Sequence, residues 1–214
     1  MLSNAMDAKP ALPACPHCQK PLFTRLACSA CGALFLADGC DAFDQLGIPA
    51  QFAVDPLQVE TNYLAVSRLA HPDRHVAGSE EAQDRAEGVM ALANRARAAL
   101  LDDCARAELL QARLQNASGA KPPPAKVQPP PDFLMEVMEL TEQLAAANDS
   151  EKAAMADNIR SRLAEYKREL ALLFAAAGDE AKRAAQVRST LDRMAYWHRL
   201  LENATGTGEH KLVS

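Results

Sequence analysis

The chain is poor in aromatic residues, which make up 5% of its 214 positions and include a single tryptophan. No proline-free apolar run approaches the ~20 residues needed to span a bilayer, so no membrane partner is expected. Basic charge is not in surplus either. Lys and Arg total 23 against 28 Asp and Glu, for a net charge of −5 and a pI near 5.6. This composition lacks the strongly basic footprint of a nucleic-acid-binding protein, and nucleic acid is not expected among the partners. Met1 to Ala14 carries neither an apolar signal core nor an Arg-rich transit pattern, and Met6 offers a second candidate start. The expected location is the cytoplasm, where six cysteines mean thiols or metal ligands sooner than disulfides.

What is present is a helix-leaning composition, 49% hydrophobic and 24% charged, in which long disorder is not the default. Residues 1–40 are rich in Pro, Cys and Gly. Their regular candidates are two short strands, Leu22–Ala27 and Ala33–Ala37. With so few large apolar groups, this stretch needs a staple to fold. Residues 41–116 read as helices and carry twelve acids against seven bases. Asp41 caps a short helix over Ala42–Leu46 that ends at Gly47. Asp55-Pro56 opens a second helix, whose buried stripe is Val59, Tyr63, Val66 and Ala70. Pro72 stops it at Ala70 or His71. A third helix follows Ser79 and buries Val89, Ala93, Ala96 and Leu100. A fourth covers Arg106–Leu114.

Residues 117–131 hold Pro122–Pro124 and Pro129–Pro131, the composition of a stiff, extended linker. Beyond it, residues 132–204 predict three helices over about 132–147, 150–176 and 179–203, broken at Asn148-Asp149-Ser150 and Gly178-Asp179. Short connections between long amphipathic helices favour antiparallel neighbours and a small bundle. Residues 205–214 form a tail.

Cys15-x2-Cys18 and Cys28-x2-Cys31 are two knuckles separated by nine residues. Each pair aims two thiolates at one ion, and a hairpin between them brings the pairs together. Four soft sulfur ligands in tetrahedral geometry suit a structural zinc site without an open position. Iron in a rubredoxin-like site is the chemical competitor, and two redox dithiols are the metal-free alternative. Cys40 and Cys104 fall outside the spacing. Cys104, early in a helix, reads as a small packing residue.

His71-Pro72-Asp73 lies between two amphipathic helices. It is either a simple turn, with proline setting the backbone and Asp73 capping, or part of an acid–base or metal site with His75. No second cluster of His or carboxylates resembles a catalytic set, so enzyme chemistry is not expected. On the first helix of the bundle, Phe133, Val137, Leu140 and Leu144 fall within about 60° of one another and suffice as its core stripe. Leu134, Met135 and Met138, with Glu139 and Glu142, lie on the opposite side, an apolar face flanked by acids that either suits a partner protein or packs against the other domain. On the last helix Val187, Leu191, Met194 and His198 form the stripe, and Tyr196 points away from it.

Asp44-Gln45-Leu46-Gly47-Ile48-Pro49, the helix from Asp55, the His71-Pro72-Asp73 loop and the helix after Ser79 together resemble the J-domain of DnaJ-type co-chaperones. The resemblance implies a loop held at the tip of two antiparallel helices. That loop would engage a DnaK-class heat-shock chaperone and stimulate its ATPase through His71, Pro72 and Asp73, supported by Arg74. J-domains bring a basic face on the helix before the loop, whereas this helix offers Arg68 alone, opposed by Glu60, which suits a dedicated partner. Phe133-Leu134-Met135-Glu136 through Glu139-Leu140 and Glu142 resembles the HscB family of J-type co-chaperones of iron–sulfur cluster assembly.

That second resemblance implies an all-α fold: a J-domain hairpin, a C-terminal three-helix bundle and a small N-terminal zinc-ribbon-like module. It implies binding of an IscU-type scaffold through Leu134, Met135, Met138, Glu139, Glu142 and Tyr196, and delivery to an HscA-type chaperone. Thr141 stands where a basic residue is familiar, and the Pro-rich linker is longer than usual. The cysteines are similar to the tetracysteine extension of eukaryotic relatives. The rival readings are a general J-protein that holds unfolded clients in its bundle and a zinc-ribbon nucleic-acid adaptor.

Overall fold

The computed structural model describes residues 12–37, 39–118 and 129–206. Residues 119–128 of the Pro-rich stretch, the first eleven residues and the end of the tail lie outside them. Among the described residues seven α-helices follow one another: α1 Ala42–Leu46, α2 Pro56–Ala70, α3 Glu80–Leu101, α4 Asp103–Ser118, α5 Pro131–Ala146, α6 Asp149–Ala175 and α7 Glu180–Thr205. The chain divides into two units, Met1–Leu110 and Gln111–Ser214, so the boundary falls inside α4. No helix among the described residues is long and apolar enough to cross a membrane.

Local chemistry sets the helix ends. Asp41 accepts from the backbone N–H groups of Phe43 and Asp44, and Gly47 closes α1 in the left-handed region at φ 64°. Asp55 accepts from Leu57 N–H with Pro56 at the first helical position. Ser79 opens α3 by accepting from Ala82 N–H, and Asn148 with Glu151 forms a reciprocal capping box on α6. The fourth helix begins before and ends beyond the Arg106–Leu114 read from the sequence.

In the first unit, α2 and α3 are antiparallel. Tyr63 Oη donates to Asn94 at 2.9 Å, and Arg97 forks onto Glu60 with contacts of 2.6 to 2.9 Å, so positions rising on one helix meet positions falling on the other. Val59, Val66 and Ala70 are buried against Val89, Ala93, Ala96 and Leu100. Tyr63 is half-buried instead, because its hydroxyl reaches the rim. Arg106 is buried and acts as a staple. It donates to the carbonyls of Phe52 and Leu100 at 2.7 and 2.6 Å, pairs with Asp103 and lies 5.0 Å from the Phe52 ring centre.

The cysteine module departs from the expected pair of strands. Among the described residues there are no strands, only isolated antiparallel bridges, Ala14 to Pro21 and Ala27 to Leu34. The Thr24 hydroxyl accepts from Leu26 and Ala27 N–H, drawing 22–27 into a turn that competes with a ladder. That turn is seated on the C-terminal end of α1. Arg25 N–H donates to Gln45 O at 3.2 Å, and the Gln45 side chain donates to Cys40 O at 2.9 Å. Phe23 O approaches so closely that a Cβ on Gly47 would sit 2.2 Å from it.

In the second unit, α6 and α7 are antiparallel: Thr190 donates to Glu169 at 2.8 Å, Arg193 covers the Tyr166 ring and Arg162 covers Trp197. Phe133 and Leu144 of α5 share a core with Ala156 and Ile159 of α6 and with Trp197, Leu200 and Ala204 of α7. The stripe read on α7 holds for Val187, Leu191 and Met194, which are buried, but not for His198, which is exposed. Trp197 takes the interior position there. A 26-residue helix meets different neighbours along its length, and its buried face rotates accordingly.

Candidate functional site

The His71 loop is held at both ends. His71 caps a single 3-10 turn over Pro72–Arg74: its Nδ1 accepts from Asp73 N–H at 3.3 Å and lies 3.5 Å from the Asp73 carboxylate. His75 ties the loop back to α2, with its Nε2 2.9 Å from Leu69 O, and Arg74 reaches Arg68 O at 3.4 Å. His71, Pro72, Asp73 and Arg74 are all exposed. The turn is fixed in shape while its side chains face solvent. His75 lay beside the motif in the sequence, yet its bond to Leu69, a helical carbonyl left free by the stop at Pro72, emerges only in the fold.

The four cysteines predicted as ligands converge, with their sulfur atoms all within 4.8 Å of one another. Cys15 Sγ is 3.7 Å from Cys31 Sγ, and Cys18 Sγ is 3.7 Å from Cys28 Sγ. Disulfide bonding requires about 2.05 Å, whereas the edge of a tetrahedron with zinc–sulfur arms of about 2.3 Å is roughly 3.8 Å. The donor set therefore fits a metal ion. The backbone N–H of Cys31 lowers the Cys28 thiol to about 7, against the opposing effect of burial, while Cys31, despite the backbone N–H of Ala33, is pushed up by burial and the neighbouring thiols, so the quartet offers one thiolate near neutrality. Leu22, with Leu12 and Phe35, packs around Cys15 and Cys28, a core too small to hold the segment alone. Cys104 stands apart. Burial first, then Asp102 and Asp103, pushes its thiol up to about 11, as befits a packing residue.

On α5 the two predicted faces separate. Phe133 and Leu144 are buried, and Val137 and Leu140 pack partly against the same core. Met135 and Met138 are 59% and 64% exposed, and Glu139 and Glu142 are exposed beside them. Leu134 and Tyr196, expected on the outward faces, are instead half-buried and pack against the same core. The Tyr196 ring meets Phe133 edge-on at 5.7 Å, so it covers the core.

An exposed, pinned His-Pro-Asp turn at the end of an antiparallel helix pair, in a chain that also carries a three-helix bundle, defines a J-type co-chaperone. Comparison with known proteins narrows the class. The domain profile described as the HSCB C-terminal oligomerisation domain matches residues 129–205. The co-chaperone protein HscB homolog of Bordetella parapertussis is 32% identical over 154 residues, which is 69% of this chain and 86% of that protein. HscB of Proteus mirabilis is 30% identical, covering 65% and 76%. In fold, the crystal structure of human HscB superposes with a TM-score of 0.72 at 24% identity, over 92% of this chain and 99% of that one. Vibrio cholerae HscB gives 0.62 at 22%, over 81% and 100%. The chain belongs to the HscB family, co-chaperones of iron–sulfur cluster assembly.

Proposed function

We propose that this co-chaperone binds an IscU-type scaffold protein through its bundle, delivers it to an HscA/DnaK-class chaperone and stimulates that chaperone's ATPase, having no active site of its own. The observation that carries this reading is the exposed turn at His71, whose shape is fixed by His75 and Arg74 and whose side chains are not used by the J-domain core. In this division of labour His71, Pro72, Asp73 and Arg74, with Arg68, contact the ATPase. Leu134, Met135, Met138, Glu139, Glu142 and Tyr196 contact the scaffold. Methionine, unbranched and polarisable, adapts its shape to a partner surface, and the acids on its rim set the charge that the partner must complement.

The same reading assigns residues 1–40 to a metal module, 41–116 to the J-domain, 117–131 to a linker and 132–204 to the scaffold-binding bundle, in a cytoplasmic protein. Cys15, Cys18, Cys28 and Cys31 would hold zinc, whose role there is to replace a hydrophobic core as the source of folding energy.

The test is chaperone ATPase turnover with and without this protein and the scaffold. His71→Gln should abolish the stimulation and leave scaffold binding intact, whereas the Met135→Ala, Met138→Ala double variant should do the reverse. Equal loss of both functions in either variant would defeat the division of labour. Binding of denatured protein but not of the scaffold would favour a general client-holding role.

A further inference from the structure

The helix leading to the loop carries a surface that the core does not use. On α2, Leu57, Thr61, Leu64 and Arg68 recur at intervals of four, three and four residues and fall within roughly 60° of one another. They stand opposite the buried stripe of Val59, Val66 and Ala70. Leu57 is 73% and Leu64 47% exposed, and beyond the loop Val76 is 71% exposed. The stripe is continuous with the docking turn, because Arg74 donates to Arg68 O at its end. Charge is nearly absent from it. Glu60 and Arg68 are the only charged residues of α2, and Glu60 is turned to α3, held by both oxygens on Arg97. Arg68 is the one cation that α2 presents.

We propose that Leu57 and Leu64 form an apolar extension of the chaperone-docking loop, meeting an apolar strip on the chaperone ATPase beside the site that takes His71. This rests on the proposed function of the loop. Complexes steered by several surface cations weaken steeply as salt rises, whereas apolar contact does not. With Arg68 on the stripe and Arg74 at the loop, and Asp73 offsetting one of them, this interface carries too little net positive charge for the first class and falls in the second. Selectivity then follows from shape and hydrophobicity: a chaperone with an acidic strip at this position would be a poor partner.

The test uses the full-length protein and its cognate chaperone, reading the concentration that gives half-maximal ATPase stimulation. From about 50 to about 300 mM salt that concentration should change by no more than about threefold. In the Leu57→Ser, Leu64→Ser variant it should rise at least about tenfold, the loss expected for two partly buried leucines. Its maximal stimulation should be kept, and its helix content and unfolding midpoint should match the parent. Leu64→Arg should be weaker and gain salt sensitivity. His71→Gln separates the two claims: if it leaves stimulation unchanged, the loop reading fails. If it abolishes stimulation while the leucine variant is indistinguishable from the parent, or the parent weakens tenfold with salt, the apolar extension is refuted. A self-associating protein that the leucine variant renders monomeric, with stimulation unchanged, would also overturn it by assigning the stripe to a second copy.

Discussion

Replacing Gly47 by alanine tests how firmly the cysteine module is seated on the J-domain. Gly47 has φ 64°, where an L-residue costs roughly 1–2 kcal/mol. Gly39, at φ 75°, carries the same conformational cost but has nothing within 4 Å of its Cβ position. The difference lies in the neighbours. The Gly47 Cβ would stand 2.2 Å from Phe23 O and 3.1 Å from a Leu12 methyl. Phe23 O is backbone and cannot rotate away, so the 22–27 turn must retreat by roughly 1 Å, an overpacking strain of about 1–3 kcal/mol.

Gly47→Ala should therefore destabilise the first unit by about 2–5 kcal/mol and Gly39→Ala by about 1–2 kcal/mol. The extra loss lowers the unfolding midpoint by about 5 °C or more relative to the Gly39 variant, read by circular dichroism on heating and by urea titration. A chelator that frees the module should shrink the gap, because a released turn can step aside. Equal midpoints for the two variants would refute the seating, and a gap that persists undiminished under chelation would show that the module holds its place without metal.

The Glu60–Arg97 pair predicts a pH effect. The hydrogen bonds from Arg97, then its charge, hold the Glu60 carboxyl below the usual carboxylate range, so the pair's stabilisation is complete above that range and lost as pH falls through the lowered value. Arg97→Gln should flatten that acid limb in urea midpoints taken from neutral to acid pH; an unaltered limb would contradict it. Zinc content should be one equivalent per chain by elemental analysis of the full-length protein. Cys28→Ser should reduce it and lower the midpoint of the first unit, while a Cys104→Ser control leaves the metal in place. Phe133→Ala removes a buried ring that contacts Tyr196 and Trp197 edge-on and should cost the bundle about 3–5 kcal/mol. Emission from Trp197, the single tryptophan, reports that unfolding directly, and an unchanged midpoint would refute the core assignment.

Most helix bounds, the metal-ligand spacing and the core stripe of α5 were legible in the sequence because each depends on residues close along the chain. Asp41, Asp55, Ser79 and Asp179 cap their helices through bonds two or three residues long, and Pro72 ends α2 by steric conflict with its predecessor. The His-Pro-Asp tripeptide was likewise visible, although not the bonds from His75 and Arg74 that give it a fixed shape. Tertiary structure decided the rest. Thr24 turned an expected strand into a bend that seats on Gln45 and Gly47, partners about twenty residues away. Arg106, a charged residue on a sequence reading, became a buried staple because the distant Phe52 carbonyl joins the nearby Leu100 carbonyl and Asp103 around it. On α7 a single periodicity pointed to His198, whereas contact with α5 and α6 selected Trp197. Periodicity fixes a stripe on an isolated helix; which stripe is buried at each turn depends on what the other helices bring to it.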